Sequence, residues 1–315
     1  MTYRRLGSSG LAVSEVGIGC NNFGRRIDAA ASKAVVDAAI DCGITLFDTA
    51  DVYGDPPGAS EEYLGAALKG RRDDVVVATK FGSPMGGGNG ADWDSRGSRR
   101  YIAKAVESSL RRLGTDYIDL YQLHQPDPDT PIAETLSALD DLVRAGKVRY
   151  VGSSNFTGWR VADAAWTARS AHTTAFISAQ NEYSLLERRI EADLLPACQQ
   201  FGVGILPYFP LAGGFLTGKY KRGQAAPTGS RGESSPYVKE YMTDANYDRI
   251  EQLTAWAEQR DHTMAELAHA WLLAHPHVSS VISGATGLAQ LQANAKAAAW
   301  QLTADELAEV NKVLA

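Results

Sequence analysis

Eight short runs rich in Val and Ile alternate along the chain with longer segments whose apolar residues recur at helical spacing, and no other feature restricts the fold as much. The runs cover residues 15–19, 44–48, 75–80, 117–124, 148–154, 176–181, 203–208 and 278–283. Most are apolar on both faces, as parallel strands covered by helices must be. Between them, Ile102, Val106, Leu110 and Leu113 share one helical stripe, and Ile132, Leu136, Leu139 and Leu142 share another. Eight such pairs in regular order predict an α/β fold, a closed (β/α)8 TIM barrel, with a doubly wound open sheet carrying an appended helical part as the alternative. The 315 residues suit one large domain or two medium ones, and barrels of about 250 residues stand as one. The unbroken alternation favours a single domain over residues 1–315.

Three departures from strict repetition stand out. A short hairpin with a Ser-Gly turn is expected over residues 2–14, and long loops follow the third strand (residues 83–99) and the seventh (about 211–243). Both loops leave carboxyl ends of strands, the barrel face where active sites are built. The balance of 31 Lys and Arg against 37 Asp and Glu gives a net charge of −6, so general attraction to nucleic acid or an anionic membrane is not expected. No run of 18 apolar residues occurs, and the amino terminus has charge and glycine where a signal peptide carries its apolar core. A cytoplasmic protein is expected, with Cys20, Cys42 and Cys198 as reduced thiols lacking any CxxC pairing.

Several motifs fail on context. GGGNGA at residues 86–91 has dinucleotide-fingerprint spacing, but ADWDSRG follows where a helix must open at once for its N–H groups to meet a pyrophosphate. P-loop, HExxH and GxSxG patterns are absent. His275 and His277 flank Pro276 with no Cys or carboxylate nearby, so they read as surface histidines near a helix end and no metal is implied.

Four polar residues gather where three runs end: Asp48, Tyr53 just beyond it, Lys80 and His124. Taken singly, each has a plainer explanation in a turn, a loop core, solvent or a satisfied interior. In a barrel these ends converge, which is what an active site requires and packing does not. A lysine ammonium beside a phenol favours phenolate and is expected to lower the Tyr53 pKa. At about 4 Å and an effective dielectric near 20 the attraction is about 4 kcal/mol before desolvation. Asp48 would keep the ammonium charged and aimed, and a neutral His124 would hold a carbonyl oxygen beside the hydroxyl.

YRRLGSSGLAVSEVGIG, FDTADVYG…SEEYLGAAL, ATK, DYIDLYQLHQPD, VRYVGSSN, QNEYSLL and LAGGFLTGKY occur in that order from about residue 3. The series resembles the aldo-keto reductase superfamily, in the branch of bacterial general reductases related to potassium-channel β-subunits. The resemblance implies a barrel that binds NADPH, less readily NADH, without a Rossmann domain and reduces aldehydes or ketones to alcohols. By position, Tyr53 would be the proton donor, Lys80 and Asp48 its tuning pair, and His124 the group that orients the carbonyl. Asn21 and Asp48 would also lie on the cofactor. Ser154, Asn155 and Gln180 would hold the carboxamide, Tyr208 would stack on the nicotinamide ring, and Pro210, Leu211, Gly213 and Lys219 would follow the pyrophosphate with Arg231 closing over it. Gly284, Thr286, Gln290 and Asn294 would surround the adenosine end, although Gly284 and Gln290 stand where some relatives carry Lys and Arg. The substrate would be a small carbonyl compound in an apolar pocket, with Phe23, Trp93 and residues 220–240 as candidates. A redox-sensing regulatory subunit with slow turnover and an aldolase-type barrel with a Schiff base on Lys80 are the rivals; oligomeric state is left open.

Overall fold

Residues 1–314 are described by a computed structural model, and alternation of side chains along its strands explains the whole layout. The strands are β1 (Tyr3–Arg5), β2 (Ala12–Ser14), β3 (Val16–Gly19), β4 (Leu46–Asp48), β5 (Val76–Phe81), β6 (Ile118–Leu123), β7 (Val148–Ser154), β8 (Ser178–Gln180), β9 (Gly204–Ile205) and β10 (Val281–Gly284). β3 to β10 form one parallel sheet in the order β10-β3-β4-β5-β6-β7-β8-β9. Ile205 N donates to His277 O (2.8 Å), Ser279 N to Ile205 O (2.9 Å) and Ile282 N to Pro207 O (2.9 Å), which joins the two ends of the sheet. The ring of hydrogen bonds makes the fold a (β/α)8 barrel and excludes the open sheet.

Inside the barrel, Leu46, Ala78, Leu120, Leu206 and Ile282 pack against Leu6 and Val13. Those last two belong to the antiparallel hairpin of β1 and β2, in which Tyr3 pairs with Ser14 and Arg5 with Ala12, so the hairpin plugs the floor of the barrel. Arg4 ties it down, pairing with Glu15 (2.6 Å) and donating to the carbonyls of Leu273 (2.9 Å) and Val278 (3.0 Å). At alternate positions of strands β4 to β8, Phe47, Phe81, Tyr121, Val151 and Ala179 face outward into the helices' apolar layer. Two residues above Leu46, Ala78 and Leu120 stand Asp48, Lys80 and Gln122, all buried. The period of two therefore converts an apolar floor into a polar upper layer within single strands.

The helix Arg99–Leu113 buries Ile102, Val106, Leu110 and Leu113 as one stripe, starting at the Ser98 cap and ending at Gly114 with φ 62°. In Ile132–Arg144, Leu136 and Leu139 are buried while Ile132 and Leu142 are half-buried. Residues 82–98 form the long connection after β5. The segment after β9 is more ordered than a loop reading suggests: a 3-10 turn (Ala212–Thr217) and short helices Arg231–Ser234 and Pro236–Glu240 precede the helices Asp244–Glu258 and Met264–Leu273. Pro236 at the start of its helix uses the position where a missing N–H costs nothing. The surface reading of His275 is corrected. It packs on Trp271 with ring centroids 4.6 Å apart, meets Tyr183 Oη at 3.1 Å, and is held below its usual pKa by burial.

Candidate active site

Strand β4 ends at Asp48, but its backbone pairing runs on: Thr49 N donates to Ala78 O (2.8 Å) and Asp51 N to Lys80 O (3.0 Å). The chain then turns, with Tyr53 N donating to Ala50 O at 3.1 Å and Tyr53 O accepting from Gly58 N at 3.0 Å. This aims the phenol back across the barrel mouth. Beneath the turn lies a buried polar network. Asp51 accepts from Asn89 Nδ2 (2.7 Å), Arg112 donates to Glu61 Oε2 (2.6 Å) and to Asn89 Oδ1 (3.2 Å), and Thr79 donates to Glu61 Oε1 (2.5 Å). Burial and the neighbouring Glu61 push the Asp51 carboxyl up to about 8. Asn89 comes from the glycine-rich run at 86–91. Gly86, Gly87 and Gly90 all have positive φ there, so the run is a tight turn inserting Asn89 and does not open a helix.

Lys80 is fully buried and donates to Asp48 Oδ2 at 2.6 Å and Thr49 O at 2.9 Å. Burial alone lowers a lysine pKa; here the Asp48 carboxylate and the Tyr53 phenol together outweigh it and hold the ammonium above its ordinary value. The other oxygen of Asp48 accepts from Gln180 Nε2 (2.8 Å) and Gln122 Nε2 (3.2 Å). Lys80 Nζ stands 5.1 Å from the Tyr53 ring centroid, and the rings of Tyr53 and His124 meet edge to face at 5.7 Å. The expected lowering of Tyr53 is corrected: burial raises its pKa, Lys80 pulling down against it and Asp48 adding to the rise. Burial and the Lys80 charge hold His124 down at about 3, and its Nδ1 is buried without a partner. At neutral pH the group is thus a protonated phenol, a charged lysine and a neutral imidazole.

A cleft of about 600 Å³ opens over Tyr53 and His124, and the sequence-predicted cofactor residues line it: Asn21 and Asp48 after β3 and on β4, Ser154, Asn155 and Gln180 at the ends of β7 and β8, Tyr208, Pro210, Leu211 and Gly213 after β9, Lys219 and Arg231 beyond them, and Gly284, Thr286, Gln290 and Asn294 after β10. Lys80 lies behind the wall, not on it. An electrophile in the cleft has no path to its nitrogen, which removes the geometry a Schiff-base barrel needs. Asn155 is committed within the protein, donating to His124 O (2.9 Å) and accepting from Tyr208 Oη (2.8 Å). It thereby fixes the Tyr208 ring against one side of the cleft. Gly213 and Gly214 have φ of 65° and 98°, and a Cβ on Gly213 would stand 2.4 Å from Val238 Cγ2; only glycine serves there.

Two guesses about the pocket fail. Phe23 is wholly buried in the core, and Trp93 is 68% exposed with Arg100 stacked 3.6 Å from its ring centroid; neither lines the cleft, and of residues 220–240 only Arg231 does. Sequence reading also missed Gln122, Asn22, Arg26 and Phe209. Gln122 carried a signal, as the polar residue spaced by two from Leu120 on the same face of its strand. Arg26 carried none.

A model of the aldo/keto reductase family matches residues 15–315. The chain belongs to that family. It is 36% identical to the uncharacterized oxidoreductase YrpG of Bacillus subtilis over 99% of this chain and 96% of the relative. It is also 36% identical to the L-glyceraldehyde 3-phosphate reductase of Escherichia coli K12 (94% and 87%) and to a probable voltage-gated potassium channel subunit beta of Arabidopsis thaliana (94% and 91%). The aldo/keto reductases are oxidoreductases that use NAD(P)H, and the cleft suits such a group. Its lining runs from Asp48, Tyr53 and His124 to three cations, Arg26, Lys219 and Arg231, and a buried ring nitrogen of His124 has no partner within the protein.

Proposed function

We propose that this aldo/keto reductase is an NADPH-dependent carbonyl reductase in which Tyr53 is the proton donor. One observation carries the reading: Tyr53, Lys80, Asp48 and His124 converge from three strand ends and a turn at one end of a cleft whose far end is cationic. The dinucleotide would lie extended along the cleft, its nicotinamide beside Tyr208 and its adenosine near Gly284, Thr286, Gln290 and Asn294. When bound, the reduced nicotinamide supplies a hydride to the carbonyl carbon of a small aldehyde or ketone.

The protein's own part is electrostatic and geometric. Neutral His124 donates to the carbonyl oxygen and orients it, since an imidazole held near pKa 3 carries one N–H and no charge. As negative charge develops on that oxygen, the protonated Tyr53 gives up its hydroxyl proton. Burial makes the phenol a weak acid, and the nearby ammonium compensates: at about 5 Å with an effective dielectric near 20, the attraction between Lys80 and a forming phenolate is about 3 kcal/mol. Asp48 keeps that ammonium charged, and Gln122 and Gln180 keep Asp48 in place.

Replacing Tyr53 by Phe tests the assignment. Turnover of NADPH with a panel of aromatic aldehydes, ketoaldehydes and sugars should fall by about 10²–10⁴, the usual worth of a positioned acid, with NADPH affinity nearly unchanged. Retention of most of the kcat refutes it. The likeness to a channel β-subunit favours one second reading, a slow enzyme that reports cofactor oxidation to a partner. Tight NADPH binding with negligible turnover across the panel would select it.

A further inference from the structure

The cleft carries more positive charge than the bridging diphosphate of a dinucleotide needs. Lys219, Arg231 and Arg26 line it, and Arg25 adjoins them in the chain. Among the described residues, none of these four pairs with a carboxylate. The acid closest in sequence to Arg26, Asp28, is already committed as a helix cap, accepting from Ala31 N at 2.8 Å. Burial, and after it the charges of Arg26 and Arg25, hold the Arg231 pKa below the ordinary value. Cations gathered without acids repel one another, and a bound anion would relieve that repulsion.

The loop that bears Arg26 is built to hold it still. The N–H groups of Arg25, Arg26 and Ile27 all donate to Asn22 O, at 3.2, 2.9 and 3.2 Å. Asn22 in turn accepts from Arg231 at 3.4 Å, and its Nδ2 lies 3.2 Å from where a Cβ on Gly284 would stand. So the Arg26 loop packs on the end of β10 while touching Arg231, between the diphosphate stretch and the adenosine end of the proposed cofactor path. Lys219 and Arg231 already match the two negative charges of a diphosphate. Arg26 is surplus, and a phosphate monoester, with about −1.5 to −2 charge at pH 7, is the group that would use it.

We propose that Arg26 reads the 2′-phosphate of NADPH and is the residue that selects it over NADH. The proposal rests on the reading that a dinucleotide extends from Tyr53 to β10. It also accounts for a neutral Gly284 and Gln290: the charge is delivered from the loop after β3 instead of from β10 and the helix behind it.

Calorimetric titration of wild type, Arg26→Ala and Arg26→Lys with NADPH, NADH, 2′,5′-ADP and 5′-ADP tests it. In Arg26→Ala, affinity for NADPH and 2′,5′-ADP should drop at least tenfold while NADH and 5′-ADP change less than twofold; Arg26→Lys should recover part of the loss. Arg26 is exposed, so the thermal midpoint should hold, and the lysine variant gives a second folded reference. An equal loss for both cofactors would place Arg26 on the diphosphate, and no loss would free it of any phosphate contact; either overturns the proposal. If wild type binds neither cofactor, the underlying reading fails first, visibly and without any substitution.

Discussion

Changing Asp48 to Asn isolates the pair on which the proposed acid chemistry depends. Lys80 is fully buried and Asp48 nearly so, so the substitution leaves an enclosed ammonium with no carboxylate partner, facing the Thr49 carbonyl, the new amide oxygen and the Tyr53 phenol. Removing one partner of a buried ion pair costs about 3–5 kcal/mol. That is a large fraction of the roughly 5–15 kcal/mol that holds a domain folded, yet not enough to abolish folding. The variant's slope against pH is the sharper readout. In wild type the folded pKa of Lys80 is raised above its ordinary 10.5, so its contribution is full below that value and is lost as pH rises through the folded pKa. Without Asp48, burial dominates and depresses the folded pKa; the fold then prefers neutral lysine, and stability gains as pH rises towards 10.5. Urea denaturation at intervals from pH 7 to 10.5 should therefore show the variant closing on wild type as pH increases, with kcat reduced at every pH because Tyr53 has lost its fixed cation. Parallel stability curves, or a loss under 1 kcal/mol at pH 7, would refute the claim that Asp48 sets the charge on Lys80.

Two further outcomes follow from the same physics. Asp51 sits at about 8 in the folded protein, far above the ordinary carboxylate range, so its contribution to stability is complete below about pH 4 and is lost as pH rises through about 8; Asp51→Asn should gain in Tm relative to wild type between pH 6 and 9, and thermal curves that stay parallel across that window contradict it. Gly213→Ala meets Val238 at 2.4 Å in a left-handed conformation, costing about 1–3 kcal/mol and displacing the segment that carries Arg231, so NADPH binding should weaken several-fold in titration while an unaltered Kd would show the contact to be slack.

The chain's local chemistry set the order and type of elements. Eight apolar runs with amphipathic segments between them have one economical arrangement, and every run, together with the hairpin over residues 2–14, lies where the pattern places it. The candidate site was legible for a related reason: a strand that shifts from Leu46 to Asp48, or from Ala78 to Lys80, within two residues announces a change from floor to mouth on the same barrel face. What local pattern does not carry is distance between strands. That Gln122 and Gln180 share one oxygen of Asp48, that burial outweighs Lys80 at Tyr53, and that Arg26 stands beside Arg231 from more than two hundred positions away became visible only once the barrel had closed. Dielectric and proximity belong to the folded arrangement, and a residue's charge state and partners follow from them, whereas a residue's own chemistry and spacing decide only which element it enters and which face it takes.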